Sequence, residues 1–270
     1  MKTDDQSSQI HLERTEDKYI ISKKHFKEFK RSLDALMDEF YPYPDTKFVI
    51  NKSIYFDTPE LVNLTQHLDQ APARHKIRIR TYAPNGIWGN DRFVEVKYKN
   101  GKETRKDRLK IGYDAYRSLM DKSVLPIDNE LMILNADLLS EDEIKNQAII
   151  LNKMLAAGDC KPVIELNYKR LAYQEGDEVR VTVDEDIEVK PLPALDVSAM
   201  DSEEIQEKLA KFEAKYLNYE DFILEMKYTK KVPKWFKRKT DKLMLESERF
   251  SKYVWAMSRI GTNELKPSVK

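Results

Sequence analysis

The sequence predicts an α+β protein in which an antiparallel sheet closes into a β-barrel with helices packed on its outside. Three observations lead there. Runs such as Lys76-Ile77-Arg78-Ile79-Arg80-Thr81-Tyr82 and Val94-Glu95-Val96-Lys97-Tyr98-Lys99 alternate with a period of two, the signature of a strand with one apolar and one charged face. The charged faces favour Arg and Lys with sparse carboxylates: Arg74 to Lys110 holds twelve cations and four acids in a chain of zero net charge. The segments between strands carry helical spacing with caps and breakers. An open sheet that buries its apolar face and shows the charged one to water satisfies the same alternation. Like charges on neighbouring strands favour the barrel, since each directly opposed pair costs up to about 1 kcal/mol and asks for an enclosed anion. A polyphosphate would supply that anion, with Arg forks giving bidentate contacts and Lys point charges.

Residues 1–12 read as a flexible polar tail. Glu13 to Ile21 alternates as a strand, with Arg14, Glu16 and Lys18 on one face. Ser22 caps a helix with apolar positions Phe26, Phe29, Leu33, Leu36, Met37 and Phe40, ended by Pro42 and Pro44. Lys47 to Asp57 is the second strand, and Thr58-Pro59 opens a short helical segment to about Leu68. Strands over 73–83 and 91–100 follow, and Asn100-Gly101 signals a tight hairpin into a third basic strand. That strand, Lys102 to Ile111, sets Lys102, Thr104, Lys106, Arg108 and Lys110 on one face. From Tyr113 to Leu155 the spacing is helical, with a capping box at Ser140-x-x-Glu143. Strands over 161–173 and 178–184 flank Glu175-Gly176-Asp177, and Glu178, Arg180, Thr182 and Asp184 alternate with Val179, Val181 and Val183. A charged helix is expected near 202–217, then a strand over Phe222–Tyr228 with Glu225 and Lys227 on its charged face, then one or two closing helices after Pro233. No repeat or linker divides the chain, so 13–262 is expected to be a single domain with a flexible tail at 263–270.

Composition removes several classes. One cysteine, Cys160, excludes an internal disulfide framework, and His11, His25, His67 and His75 lack zinc-ligand spacing. No apolar run reaches transmembrane length and no signal-peptide core is present, so a cytoplasmic protein is expected. Net neutrality argues against a nonspecific nucleic-acid binder, and no nucleic-acid partner is expected. Trp88, Trp235 and Trp255 read as packing residues.

The few carboxylates on the charged faces carry meaning. Glu16 and Glu225 each stand two residues before a lysine, Lys18 and Lys227. Their oxygens are the hard ligands that Mg²⁺ or Mn²⁺ takes while bridging phosphates. Cross-strand ion pairs explain the same Glu-x-Lys spacing.

Taken together, Glu16-Asp17-Lys18-Tyr19, Ser53-Ile54-Tyr55-Phe56-Asp57, Lys76-Ile77-Arg78-Ile79-Arg80, Glu95-Val96-Lys97, Tyr168-Lys169-Arg170, Val179-Arg180-Val181-Thr182-Val183-Asp184, Leu224-Glu225-Met226-Lys227 and Phe250-Ser251-Lys252-Tyr253 form an ordered set over nearly the whole chain. The set resembles the VTC (vacuolar transporter chaperone) domain, a branch of the CYTH or triphosphate tunnel metalloenzyme superfamily. The resemblance implies a closed antiparallel tunnel of about eight strands, binding ATP, inorganic polyphosphate and Mn²⁺ or Mg²⁺. It further implies transfer of the γ-phosphate of ATP to a growing polyphosphate chain. Motif by motif, it implies that Arg78, Arg80, Lys97, Arg180 and Lys252 act on the reacting phosphates. Lys18, Lys76, Lys106, Arg170, Lys227 and Arg249 would bind phosphate, with Tyr168 and Ser251 as hydrogen-bond donors, and Glu225 with Glu16 would hold the metal. Translocating relatives imply a membrane-protein partner that receives the product, and membrane association through it.

Two departures stand out. Arg14 occupies the first glutamate of the superfamily's Glu-x-Glu-x-Lys opening, which weakens a two-metal hydrolase reading. Arg249 replaces a lysine that often precedes the Ser-Lys pair, keeping the charge. Parity also puts Arg170 on one face with Ile164, Leu166 and Tyr168, so a bulge is expected if it is to reach a charged interior. The competing functions are a tripolyphosphatase or nucleoside triphosphatase, and a noncatalytic polyphosphate-binding sensor.

Overall fold

Alternating sequence builds one antiparallel sheet, seen in a computed structural model that describes residues 15–101, 103–215 and 222–261. Its strands are β1 (Thr15–Ile21), β2 (Asp38–Glu39), β3 (Val49–Asp57), β4 (Ala73–Pro84), β5 (Arg92–Asn100), β6 (Glu103–Ile111), β7 (Lys161–Glu175), β8 (Val179–Pro191) and β9 (Phe222–Tyr228). They pair in the order β1-β9-β8-β7-β3-β4-β5-β6, and β2 adds onto β7. The helices are α1 (Lys23–Leu36), α2 (Val62–Leu68), α3 (Tyr113–Lys122), α4 (Asn129–Asn135), α5 (Glu141–Ala157), α6 (Glu203–Lys215), α7 (Lys234–Lys242) and α8 (Lys252–Gly261). The terminal tails expected at 1–12 and 263–270, together with Arg14, Lys102 and the end of the helix expected to reach 217, lie outside the described residues.

The curled sheet has two apolar regions on its convex side. The odd residues of β8, Val179, Val181 and Val183, join Tyr19, Ile21, Leu224 and Met226 under α1 and α7. Ile77, Ile79, Val94, Val96, Leu109 and Ile111 pack under α3, α4 and α5. The concave side is divided. At one end α8 lies inside the curl, where Tyr253, Val254 and Met257 pack on Tyr55, Ile164, Leu166 and Ile223, backed by Leu64 of α2 and Ile205 and Leu209 of α6. The rest of the concavity is the charged face.

This division corrects the expectation for Arg170. From Ile164 to Arg170, β7 pairs with β3 residue for residue, without a bulge. The shared face is the concave one throughout: Ile164 and Leu166 lie under α8, while Tyr168 and Arg170 emerge beyond it. The irregularity is in β8, where Asn167↔Glu188 gives way to Lys169↔Glu185. One extra β8 residue, beside left-handed Asp186 (φ 53°), switches that strand's parity. Arg180 and Thr182 therefore line the trough while Ile187 and Val189 turn to the α8 end.

The sheet is an open half-barrel, not the closed barrel expected. β1 and β6 end the pairing order and do not pair with each other. A closed eight-stranded barrel has an interior just wide enough for its own side chains. This one must accommodate α8 and a set of long cationic side chains, so the sheet curls around them without its edges meeting. A second correction concerns α1, which ends at Leu36 rather than Phe40. Met37 turns extended (φ −133°, ψ 151°), and Asp38 and Glu39 pair with Gln174 and Tyr173 of β7 before the prolines are reached. Both caps form as expected: Ser22 Oγ accepts from His25 N–H at 3.3 Å, and Ser140 and Glu143 make the reciprocal capping box. No helix among the described residues is long and apolar enough to cross a membrane.

Candidate functional site: the charged trough

Strand register converts the period-two pattern into rows of charge across the concave face. One row is Lys76↔Lys97↔Lys106, three lysines directly opposed on β4, β5 and β6. The next is Arg78↔Glu95↔Arg108. On the other wall Lys18 faces Glu225 and Glu16 faces Lys227, with Thr182 and Arg180 of β8 opposite. All of these except Arg108 line a cavity of about 520 Å³. Its cations are Lys18, Lys76, Arg78, Arg80, Lys97, Lys106, Arg170, Arg180, Lys227 and Lys252, against carboxylates Glu16, Glu95 and Glu225, a formal excess of seven.

Each interior carboxylate is bracketed by cations. Glu95, 2 % exposed, accepts from Arg78 Nε at 2.8 Å and lies 3.0 Å from Lys106 Nζ and 3.6 Å from Arg108 Nε. Burial opposes its charge, but Arg78, Arg80, Lys106 and Arg108 outweigh burial and hold the carboxyl well below the usual range. Asp184, fully buried beneath the trough, takes both arms of Arg170 at 2.6 and 2.8 Å and Lys252 Nζ at 2.7 Å. Glu225 lies 3.0 Å from Lys227 and 4.0 Å from Lys18, and Glu16 lies 2.6 Å from Lys18 and 3.8 Å from Lys227. Burial works against the charge on Glu225, yet Lys227, Lys18, Lys252 and Arg170 together keep it ionised.

The lysine row is compensated only at its Lys106 end, by Glu95. Lys97 has no ion pair among the described residues, and burial with Lys18 and Lys227 depresses its pKa against the pull of Glu16. Burial, then Lys18, Lys97 and Arg78, push Lys76 well below the ordinary lysine value, and its ammonium donates to Ser251 Oγ at 2.8 Å. Lys106 falls to about 8, mostly through burial, with Arg80, Arg108 and Arg78 adding to the effect despite Glu95. Beside the row, Arg80 donates to the Tyr168 hydroxyl at 3.1 Å, and its Nε–H is buried without a hydrogen-bond partner. An unmatched buried donor costs about 1–3 kcal/mol, so these groups are poised for an anion.

α8 forms the end wall. Ser251 caps it, its Oγ accepting from Val254 N–H at 3.3 Å, so the helix N-terminus and its partial positive charge border the cavity. Tyr253 donates to buried Asp57 and stacks on Tyr55 at 5.1 Å, and the Tyr55 hydroxyl accepts from Arg78 at 3.2 Å. The helix is thereby tied to β3 and β4.

The structure brings together in this cavity every residue assigned to it from the sequence except one. Arg249 donates to Gln70 Oε1 at 2.7 Å and lines an adjoining cavity of about 770 Å³. Sequence reasoning missed the anchoring roles of Glu95 and Asp184 and the contact of Tyr55 with Arg78. The parity of Tyr55 with Ser53 was the available signal for the last; the Arg170–Asp184 fork depends on register and had none. For a metal, Glu16 and Glu225 offer hard oxygens near one another, and among the described residues no group of three or more His, Cys, Asp or Glu could hold an ion. That donor set fits an ion taking one or two carboxylates and completing its shell with phosphate oxygens and water.

No curated protein matches the chain. Among solved structures, a putative adenylate cyclase from Bacillus halodurans is similar at 13% identity and TM-score 0.47, covering 89% of this chain and 94% of that one. A Pyrococcus horikoshii protein matches at 16% identity and TM-score 0.44, covering 92% and 98%. A Mimivirus capping enzyme triphosphatase matches at 8% identity and TM-score 0.33, covering 90% of each. A family described as the VTC domain matches residues 13–260, nearly the full chain, and the protein belongs to that family.

Proposed function

We propose that the trough binds the triphosphate of ATP and transfers its terminal phosphoryl group to the end of an inorganic polyphosphate chain. The observation that carries this reading is the cation excess of seven, with Lys76 and Lys97 of the lysine row left without an ion pair among the described residues and every interior carboxylate already engaged. Family membership agrees with a phosphate-chain ligand.

The chemistry asks little beyond positioning and charge stabilisation. An oxygen at the end of the acceptor chain is already anionic, so it attacks the γ-phosphorus without a base. The bond from that phosphorus to the β–γ bridging oxygen breaks, and ADP departs with the electron pair. Arg78 and Arg80 stand where guanidinium forks would hold the reacting phosphates, preoriented by Glu95 and Tyr168 respectively. Lys97 and Lys76 would neutralise charge on the chain, and Arg170 and Lys252 are held in place by Asp184. Glu225 and Glu16 are the residues that would hold Mn²⁺ or Mg²⁺. Such an ion supplies Lewis-acid charge stabilisation to phosphate oxygens.

Hydrolysis makes a different demand, because water must lose a proton. Glu95 and Glu225 are held well below the usual carboxylate range and are therefore weak bases, which favours the phosphate acceptor over water.

The test is incubation of purified protein with ATP and Mn²⁺ or Mg²⁺. ADP with a ladder of polyphosphate on a gel is expected. Orthophosphate without polymer would replace this reading by a triphosphatase, and tight polyphosphate binding without turnover under any metal would leave a sensor.

A further inference from the structure

The trough continues beyond the central cavity in two chemically different directions. At the α8 end it shares Lys76, Lys97 and Ser251 with the 770 Å³ cavity, whose further cations are Arg74, Lys99, Lys208, Lys211 and Arg249; Glu248 is the one acid in its lining, and Lys208 and Lys211 also pair with Asp69, Glu204 and Glu207 behind it. At the opposite end it shares Arg80, Arg170 and Arg180 with a cavity of about 170 Å³. The walls there are aromatic: Tyr41, Tyr43, Tyr82 and Phe93. This smaller cavity shares Tyr43, Tyr82 and Asp91 with a further pocket of about 340 Å³ that adds Thr46 and Asn85.

We infer that the trough is polar along its length, with a nucleoside subsite at the aromatic end and a seat for a long phosphate chain at the α8 end. The inference rests on the proposed triphosphate reading and adds its direction. A linear polyanion needs cations at intervals and gains nothing from flat apolar faces. A nucleobase needs the reverse: ring faces for stacking and a few polar groups for its edge. The aromatic end supplies both. The Arg108 guanidinium covers a face of buried Phe93, 3.7 Å from its ring centroid, and Tyr82 meets Phe93 edge-on at 5.9 Å, so Phe93 backs the wall and supports Tyr82 as a stacking ring. Tyr82 also receives a hydrogen bond from Arg108 at 3.2 Å, which holds the phenol ring in place. Asp91, Asn85 and Thr46 border the same space; Asp91 pairs with Lys110, Asn85 with Lys47 N–H and the Asp45 carbonyl, and Thr46 with the Pro44 carbonyl, so what they retain for a base edge is chiefly acceptor capacity. Between the two ends, Arg80 and Arg170 stand at the junction where a triphosphate passes from nucleoside to chain.

The experiment is calorimetric titration, without added divalent metal, of wild type, Tyr43→Ala and Tyr82→Ala with ATP and with inorganic tripolyphosphate. Each substitution is expected to weaken ATP by about five- to hundredfold, the usual effect of removing one stacking face, and tripolyphosphate by less than about twofold. Retained tripolyphosphate affinity also reports an intact fold. In the converse arm, Lys208→Ala with Lys211→Ala is expected to weaken long-chain polyphosphate while sparing ATP and tripolyphosphate. Equal losses of ATP and tripolyphosphate in both tyrosine variants, or unchanged ATP affinity in both, would overturn the polarity. So would a loss of ATP affinity in the lysine variant. A wild-type protein that binds neither triphosphate would instead remove the parent reading.

Discussion

Lys97→Met separates a functional from a structural lysine row, because stability and binding should move in opposite directions. Lys97 stands between Lys76 and Lys106 in the sheet register and has no ion pair among the described residues. A directly opposed like-charge pair costs up to about 1 kcal/mol, and Lys97 makes two; solvent at this open position screens part of that, leaving about 1 kcal/mol to be relieved. Met keeps the length and apolar stem. Thermal unfolding of the ligand-free variant should therefore shift upward by about 2–4 °C, the scale for about 1 kcal/mol in a chain near this size. A charge-assisted hydrogen bond contributes about 1.5–3 kcal/mol, so tripolyphosphate affinity measured by calorimetry should fall roughly 10- to 150-fold. The ligand-induced rise in Tm should shrink accordingly. A variant that melts lower than wild type with unchanged tripolyphosphate affinity would refute the reasoning, since Lys97 would then be a packing residue whose charge is already balanced.

Three further outcomes follow from the same geometry. Asp184→Asn leaves Arg170 and Lys252 without their buried counter-ion; breaking such a pair costs about 3–5 kcal/mol, so the ligand-free Tm should drop by several degrees and tripolyphosphate should restore part of the loss, whereas an unchanged Tm would remove the anchoring role. Lys106, with a pKa of about 8 against an ordinary 10.5, gives a pH signature: below about 8 it is charged and ready for phosphate, and above it binding must recruit a proton, so tripolyphosphate affinity should fall as pH rises through about 8 while ligand-free stability rises toward 10.5. Lys106→Arg, charged throughout, should flatten the affinity step near 8, and an identical pH profile would show the step to belong elsewhere. Glu225→Gln and Glu16→Gln should each lower Mn²⁺ binding in the presence of tripolyphosphate, read by the electron paramagnetic resonance of free Mn²⁺; undiminished binding in both would exclude them as ligands.

The strands were legible because their alternation is local. Lys76 to Tyr82 needs no tertiary information to separate Ile77 and Ile79 from Arg78 and Arg80, and those isoleucines are buried under the outer helices. What resisted reading is what depends on neighbours. The strand containing Arg180 was expected to stop at 184 because alternation breaks there. The break is a bulge at Asp186 that flips parity, and β8 runs on to Pro191. Arg170 needed a bulge only on the assumption that one face has one chemistry. In fact the concave face changes from apolar to charged where α8 ends. Closure was overestimated for the same reason: period two specifies a face, while barrel radius depends on what fills the concavity. The expected ligand-binding cations on the strands converge in one cavity because they share parity on adjacent strands, and Lys252 reaches it from the first turn of α8; Arg249, in the segment between α7 and α8, has no strand to place it.

Compensation within the trough is unequal, and its distribution matters. Glu95 and Asp184 each hold an arginine by paired or short contacts, so the guanidinium groups are oriented before any ligand arrives and little side-chain entropy is lost on binding. The lysines of the row are flexible point charges with depressed pKa values, and they lie partly at the junction with the large cationic cavity. Rigid, pre-paired forks suit a step in which phosphorus and oxygen must align; loosely held lysines suit a chain that must bind and then advance. Stronger compensation of the row would raise stability and weaken the attraction for the chain, and more fixed cations there would hold the product in place. In a chain of zero net charge overall, this concave face concentrates a formal excess of seven cations. On the proposed reading, the same seven-charge excess would serve two ends: alignment where the arginines are anchored, and passage where the lysines are not.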